Sequence, residues 1–203
     1  MKKFVLILPL FLLLAGCDFW TNVETPEIVC DNDDCPAISV FAKTPIEELS
    51  INVLDLLNEW DMAKLSEFVD PEKWLHFSAY WDMTDDDVVL SKEAIKLFGD
   101  EVYVRWRYDW SWDPIELTMS QFFDEFITNL DYSQAPEVIY NNIVSRWNTI
   151  VNIVDYFPDA EYVEYYFPSL NPEYAWMDWE SLVLIFDKDT HYLVWLSHEQ
   201  WTI

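Results

Sequence analysis

The sequence predicts an α+β fold for residues 46–203, with N-terminal helices packed on a curved antiparallel sheet. Apolar residues recur at helical spacing in the first part of this region. Segments that alternate between polar and apolar residues dominate its C-terminal part. Helices followed by a run of strands are typical of the α+β class, and a region of this length suits one domain.

The first elements of this region are predicted to be a pair of helices. Thr44 is a possible N-cap, and the helical pattern breaks near Asp61 before a second, shorter helix. Apolar residues at spacings of three to four should form the buried face of the pair: Leu49, Val53, Leu57, Leu65 and Phe68.

The central elements alternate between helices and strands. "SKEAIKLFGD" predicts a short helix capped by Ser91, whereas "EVYVRWRYD" and "PIELT" predict two paired strands. "SQFFDEFITNL" predicts a helix that turns Phe122, Phe123, Phe126 and Ile127 inward. The stretch 135–159 is ambiguous between helix and strand.

Three strands are predicted to end the chain, in "AEYVEYYFP", "SLVLIFDKD" and "HYLVWLSHEQWTI". Residues two apart along a strand share one face of the sheet. We therefore expect an apolar face to pack on the helix pair: Leu182, Leu184, Phe186 and Val194.

Residues 1–16 predict a lipoprotein signal peptide. Lys2 and Lys3 precede an apolar run that is too short to span a membrane, as in secretion signals. The following "LAGC" resembles the bacterial lipobox. This resemblance implies that the chain is cleaved before Cys17 and that the Cys17 thiol is lipidated, with incorporation of palmitate. It also implies that the protein lies on the extracytoplasmic face of the cell membrane. The alternative is an ordinary signal peptide or an uncleaved anchor with a chance cysteine.

Residues 17–45 predict a lipidated cysteine followed by a flexible acidic tether, because this stretch has no sustained periodicity and contains several prolines. Cys30 and Cys35 would form a disulfide in an oxidising compartment. Two alternatives stay open: a pair of free thiols, and a calcium site formed by the aspartates between them. A calcium loop would need a turn glycine and a terminal glutamate that this stretch lacks.

The charge of the chain excludes one class of partner. Eleven basic and 38 acidic residues give a formal net charge of −27. Nucleic-acid binding requires a basic patch, and the sequence has no cluster of Lys or Arg. The partners that we expect are the membrane, through the lipid anchor, and an unidentified small molecule, glycan or envelope protein.

The helix pair, the break at "NEWD" and the extended "WLHFSAYWD" resemble the opening of the nuclear transport factor 2-like superfamily, also called SnoaL-like. The end of the chain is similar to a group of uncharacterised bacterial lipoproteins. The resemblance covers residues 46–203 and implies a cone-like sheet around a pocket. Strand residues on the concave side would line that pocket: His76, Tyr80, Tyr103, His198 and Trp201.

Three function classes follow. The resemblance implies that a pocket His with a carboxylate could support acid–base chemistry, but the sequence contains no nucleophile elbow, P-loop, zinc motif or dinucleotide fingerprint. The function that we predict is therefore a nonenzymatic ligand- or partner-binding domain without catalytic residues, cofactor or metal. The alternatives are a small acid–base enzyme and a carbohydrate-binding module that uses exposed tryptophans.

The composition is unusual in two residue types. The chain has 2 glycines and 12 tryptophans, whereas average usage predicts roughly fourteen glycines. Several tryptophans stand where turn chemistry favours glycine, as in "YDWSWDP". The codon UGA encodes tryptophan in some bacterial genetic codes and glycine in others. Our hypothesis is that Trp179 and Trp201 are true tryptophans and that most of the other ten are glycines encoded by UGA. These ten are Trp20, Trp60, Trp74, Trp81, Trp106, Trp110, Trp112, Trp147, Trp176 and Trp195. The alternative is a genuinely tryptophan-rich protein.

Overall fold

The structure is a computed structural model that describes residues 44–85, 87–108, 111–146, 149–174 and 177–201. The predicted signal peptide, the three cysteines and the tether up to residue 43 lie outside the described residues.

Within these residues the chain forms short helices and eight strands. The helices are α1 (Ile46–Asn58), α2 (Met62–Phe68), α3 (Lys92–Lys96), α4 (Met119–Phe122), which continues as a π-helical turn (Phe123–Ile127), and α5 (Ile153–Tyr156). The strands are β1 (Leu75–Ser78), β2 (Val88–Leu90), β3 (Val102–Arg107), β4 (Pro114–Thr118), β5 (Glu137–Tyr140), β6 (Ala160–Phe167), β7 (Glu180–Asp187) and β8 (Leu193–Gln200).

Six of these strands form one open sheet in the order β2-β1-β8-β7-β6-β5, and β3 pairs with β4 in a separate hairpin. The predicted α+β class is confirmed. The prediction of an antiparallel sheet is wrong at one position, because β1 and β8 run parallel. Parallel neighbours need a long connection, and here nearly the whole domain lies between the two strands.

The predicted helix pair is present, with one difference at its start. Helix α1 begins at Ile46 with Pro45 in the N-cap position, so Thr44 is not the cap. The carbonyl oxygen of Thr44 lies 2.9 Å from Nδ1 of His191. Asp61 caps α2 and accepts a hydrogen bond of 3.1 Å from the backbone N–H of Lys64.

One face of the sheet packs against α1, α2 and the aromatic helix α4 with its π-helical turn. This cluster contains most of the predicted core: Leu49, Val53, Leu57, Leu65, Leu182, Leu184 and Phe186 are buried in it, and Phe68 packs against it. Val194 is the exception, because it belongs to a cluster on the opposite face. A register shift between Ile185 and Phe186 interrupts the alternation of β8 at this point.

The opposite face of the sheet is also covered. Its cluster draws residues from the segment after β1, from α5 and from the central strands: Trp81, Met83, Ile153, Tyr162, Val183, Ile185, Val194 and Trp195. Because both faces are covered, seven consecutive residues of β7 are buried.

Candidate functional site

A buried histidine–carboxylate pair lies on the face of the sheet that the helices cover. His198 on β8 stands opposite Leu182, and Glu180 lies two residues from Leu182 on the same face of β7. Nε2 of His198 is 2.9 Å from Oε1 of Glu180, and both side chains are almost completely inaccessible to solvent. The sequence analysis predicted that His198 lines a pocket, and it did not predict Glu180 as its partner.

Glu180 is the centre of a hydrogen-bond network. The hydroxyl of Tyr132 donates to Oε1 at 3.1 Å, and the side-chain amide of Asn129 donates to the same oxygen. Burial by itself would raise the pKa of the Glu180 carboxyl, but the hydrogen bonds from His198, Asn129 and Tyr132 outweigh it and lower the pKa. The network therefore stabilises an ionised carboxylate inside the core.

The other nitrogen of His198 is also occupied, since Nδ1 lies 3.3 Å from the carbonyl oxygen of Ala79. The edge of the Phe126 ring covers the imidazole, with the ring centroids 5.4 Å apart. General acid–base catalysis requires a group within hydrogen-bond reach of a substrate. In this conformation the pair has no access to a substrate, so its geometry fits a structural network in the core.

The other four predicted pocket residues make contacts at several places in the fold. Tyr80 contacts the ring of Phe126, which also contacts His198, and the centroids of the Tyr80 and Phe126 rings are 6.4 Å apart. His76 lies on the opposite face, stacked on Trp195 at 4.6 Å, where burial lowers its pKa.

Tyr103 and Trp201 lie in other parts of the fold. Tyr103 belongs to the separate hairpin and donates its hydroxyl to Glu101 at 3.3 Å. Trp201 follows β8, is partly exposed, and donates its backbone N–H to the carbonyl oxygen of Trp179 at 2.9 Å. Of the five predicted residues, Tyr80 and His198 both contact the ring of Phe126.

A surface groove lies between the start of α2, helix α3 and the start of α4. Its volume is about 410 Å³, within the range of small-ligand sites. Six of its nine lining residues are apolar, namely Trp60, Met62, Ala63, Ile95, Leu97 and Phe98, and the others are Asp61, Lys96 and Ser120. The sequence did not predict this groove, because its walls come from separate short helices whose relative positions are not encoded in a local pattern.

An arginine–glutamate pair lies on the opposite face of the sheet, and the sequence did not predict it. The guanidinium group of Arg146 pairs with the Glu164 carboxylate, which also accepts a hydrogen bond of 2.8 Å from Ser181. Burial raises the pKa of Glu164 despite the opposing effect of Arg146. The position of Glu164 within a largely apolar strand could have indicated a buried charged group, but no local pattern in the sequence identified Arg146 as its partner.

Aromatic rings surround the same guanidinium group. It lies 3.6 Å from the ring centroid of Tyr166, and the centroids of Trp81 and Trp179 are 5.6 and 5.9 Å away. Stacking on aromatic faces stabilises arginine where it is removed from water. The side chain is 11% exposed, so the group is nearly enclosed.

Asp87 is a third buried carboxyl group. It accepts a hydrogen bond of 2.7 Å from the indole N–H of Trp106 and one of 3.0 Å from the backbone N–H of Thr84. Burial raises its pKa to about 6, and these hydrogen bonds oppose the rise. It therefore titrates close to neutral pH.

Comparisons with known proteins found no matching family model, curated protein or solved structure. In the part of the chain that the structure describes, no group of three or more His, Cys, Asp or Glu side chains is arranged to hold a metal ion. None of the described helices has the length and apolar character that crossing a membrane requires.

Proposed function

We propose that this protein is a lipid-anchored component of the bacterial cell envelope, whose domain 46–203 binds a ligand or partner on the extracytoplasmic side. The observation that carries the proposal is the sequence at its start: Lys2 and Lys3, an apolar run, and "LAGC" ending at Cys17. Lipidated thiols hold a protein on a membrane because each buried CH₂ contributes about 0.8 kcal/mol.

We further propose that the domain is nuclear transport factor 2-like. The order of the elements supports this relationship, since α1 and α2 pair before β1, and β1 joins the sheet of the C-terminal strands. The predicted cone-like curvature of the sheet is part of the same proposal.

A binding role is favoured over catalysis by the state of the buried pair. His198 and Glu180 have hydrogen-bond partners within the core, and the aromatic residues of α4 and its π-helical turn fill the space above them. A small acid–base enzyme would need this pair to reach a substrate. If the domain has a binding role, its partner is a small molecule, a glycan or an envelope protein.

The lipid anchor is tested by replacing its cysteine. In the Cys17→Ala variant, incorporation of labelled palmitate should be lost and the protein should leave the membrane fraction, because the acyl chains supply most of its membrane affinity. Cys30→Ala is the matched control: it removes a thiol from the same N-terminal segment and should keep both the label and the membrane location. Palmitate incorporation that persists in Cys17→Ala would contradict the proposal.

A second candidate function is carbohydrate binding. Among the described residues of the domain, four tryptophans are exposed, at positions 60, 74, 112 and 201. Exposed indole rings provide amphipathic faces on which sugar rings stack. The test is the quenching of tryptophan fluorescence by a panel of envelope glycans, and an unchanged emission spectrum would eliminate this candidate.

A further inference from the structure

Five described residues other than glycine have a positive φ, in the left-handed region. Two of them, Asn141 and His191, are of types that adopt this conformation several times more often than other residues do. The other three are tryptophans: Trp60 with φ 58°, Trp74 with φ 63° and Trp112 with φ 62°. A bulky side chain in this region is an outlier, because Cβ then crowds the following carbonyl oxygen.

Trp60 ends helix α1 in a Schellman motif. Its N–H donates to the carbonyl oxygen of Leu57 at 3.1 Å, and the N–H of Asp61 donates to that of Leu56 at 2.9 Å. These are the two hydrogen bonds that define the motif, and Trp60 occupies the position whose left-handed conformation is most often supplied by glycine.

Trp74 closes a single helical turn before β1. The carboxylate of Asp70 accepts hydrogen bonds of 2.8 Å from the N–H groups of Glu72 and Lys73. The N–H of Trp74 then donates to the carbonyl oxygen of Asp70 at 3.0 Å. This single bond across four residues, with a left-handed donor, is the simpler helix-ending motif that also favours glycine.

Trp112 lies in the loop of the β3–β4 hairpin. Its N–H donates to the carbonyl oxygen of Tyr108 at 2.8 Å, and the N–H of Tyr108 donates to the carbonyl oxygen of Asp113 at 3.0 Å. The ring of Trp112 is 73% exposed, so packing of the ring does not explain the backbone conformation.

The β7–β8 hairpin has the same two hydrogen bonds at its loop, with a different residue at the corresponding position. The N–H of His191 donates to the carbonyl oxygen of Asp187 at 2.7 Å, and the N–H of Asp187 donates to that of Tyr192 at 2.9 Å. His191 therefore corresponds to Trp112 and is of a type that tolerates a left-handed φ. Two equivalent loops thus differ in whether the residue suits its backbone.

We infer that the natural chain carries glycine at positions 60, 74 and 112, encoded by UGA codons that the source organism translates as glycine. All three positions combine a left-handed φ with the hydrogen bonds of a glycine-ended turn. The inference also moves the composition toward ordinary usage, because three such replacements change 2 glycines to 5 and 12 tryptophans to 9. It does not depend on the proposed lipid anchor.

The inference bears directly on the candidate carbohydrate-binding function. In the part of the chain that the structure describes, glycine at these positions would remove three of the four exposed indole rings. It would also remove Trp60 from the wall of the surface groove, which would then be wider. The inference does not extend to three other tryptophans of the sequence hypothesis, which are buried and have no positive φ: Trp81, Trp106 and Trp195. The remaining positions of that hypothesis, Trp20, Trp110, Trp147 and Trp176, lie outside the described residues.

The conformational part of the inference can be tested with paired variants of the chain in its present sequence. Trp112→Gly and Trp112→Ala both remove the ring and differ only in Cβ. The glycine variant should melt about 2–4 °C higher, because it avoids the left-handed strain. Trp201 is exposed but has no left-handed φ, so Trp201→Gly should melt no higher than Trp201→Ala. Equal melting temperatures for the two variants at position 112 would contradict the inference.

The codons and the residue identities are tested on the gene and on protein from the source organism. We expect UGA at codons 60, 74 and 112, and UGG at codon 179 as the internal control. The tryptic peptide 44–64 contains Trp60 as its only tryptophan. In protein isolated from the source organism, this peptide should be lighter by the difference between a tryptophan and a glycine residue. UGG at the three codons, or a peptide mass that includes tryptophan, would overturn the inference.

Discussion

Two buried carboxyl groups illustrate how single residues respond differently to the same core. Hydrogen bonds from three side chains lower the pKa of Glu180, whereas burial dominates at Asp87 and raises its pKa to about 6. A raised pKa in the folded state favours folding at low pH, where the carboxyl group is protonated in both states. This contribution is lost as the pH rises from about 4 through about 6.

Removal of the Asp87 carboxylate should therefore reduce the dependence of the folding stability on pH. The rise in the pKa of Asp87 corresponds to about 3 kcal/mol of folding stability, which is lost as the pH increases toward neutral. In Asp87→Asn, the decrease in melting temperature between pH 4.5 and pH 7.5 should be smaller than in the unmodified protein by about 5 °C. Asp85→Asn, at an exposed position two residues away, should keep the original pH dependence. Thermal unfolding followed by circular dichroism across this range checks both, and identical profiles for all three proteins would contradict the assignment.

At the scale of elements, local patterns predicted the helices and strands better than their arrangement. The spacing of Leu49, Val53 and Leu57 was sufficient for the buried face of α1, because the helical period is local. The parallel pairing of β1 with β8 was not predictable from either strand, since orientation depends on the chain between them. Val194 was assigned to the wrong face because an irregularity in the β7–β8 pairing breaks the alternation.

The candidate sites show the same limit. His198 was named from its strand, but Glu180 and Arg146 were missed because their partners belong to other elements of the fold. Pairing between elements depends on register, which a single sequence does not reveal. Turn chemistry was more informative. It indicated four tryptophans as glycine positions; Trp60, Trp74 and Trp112 have a left-handed φ, and Trp110 lies outside the described residues.

The packing of α1 on the sheet is tested by one buried and one exposed position of the same helix. Leu57 is 2% exposed and Ile51 is 52% exposed. Leu57→Asp should unfold the domain, because a buried unpaired carboxylate costs several kcal/mol against a total stability of about 5–15 kcal/mol. Ile51→Asp should keep the folded spectrum. Circular dichroism of the two variants is the measurement, and a native spectrum with an unchanged melting temperature for Leu57→Asp would show that this packing is incorrect.

At the scale of the whole molecule, we propose that anchoring and folding are separate tasks of the chain. The first described helix begins at Ile46, and the signal for the anchor ends at Cys17. The acidic residues between them are predicted to be a tether that contributes nothing to the fold.

Deletion of residues 18–43 should therefore leave thermal unfolding unchanged. The deletion retains Thr44, whose carbonyl oxygen contacts His191. A flexible segment makes few contacts that could stabilise the folded state. Differential scanning calorimetry of the full-length and shortened proteins provides the comparison, and a clear decrease in melting temperature would mean that the segment completes the domain.

The proposed lipid anchor is tested most directly by the mass of the N-terminal tryptic peptide of protein extracted from its natural membrane. We predict a peptide that begins at Cys17, ends at Lys43 and carries a diacylglyceryl group on the Cys17 thiol. This result would establish both cleavage of the signal peptide and the lipid. A peptide that retains residues before Cys17, or one in which this thiol is unmodified, would contradict the account.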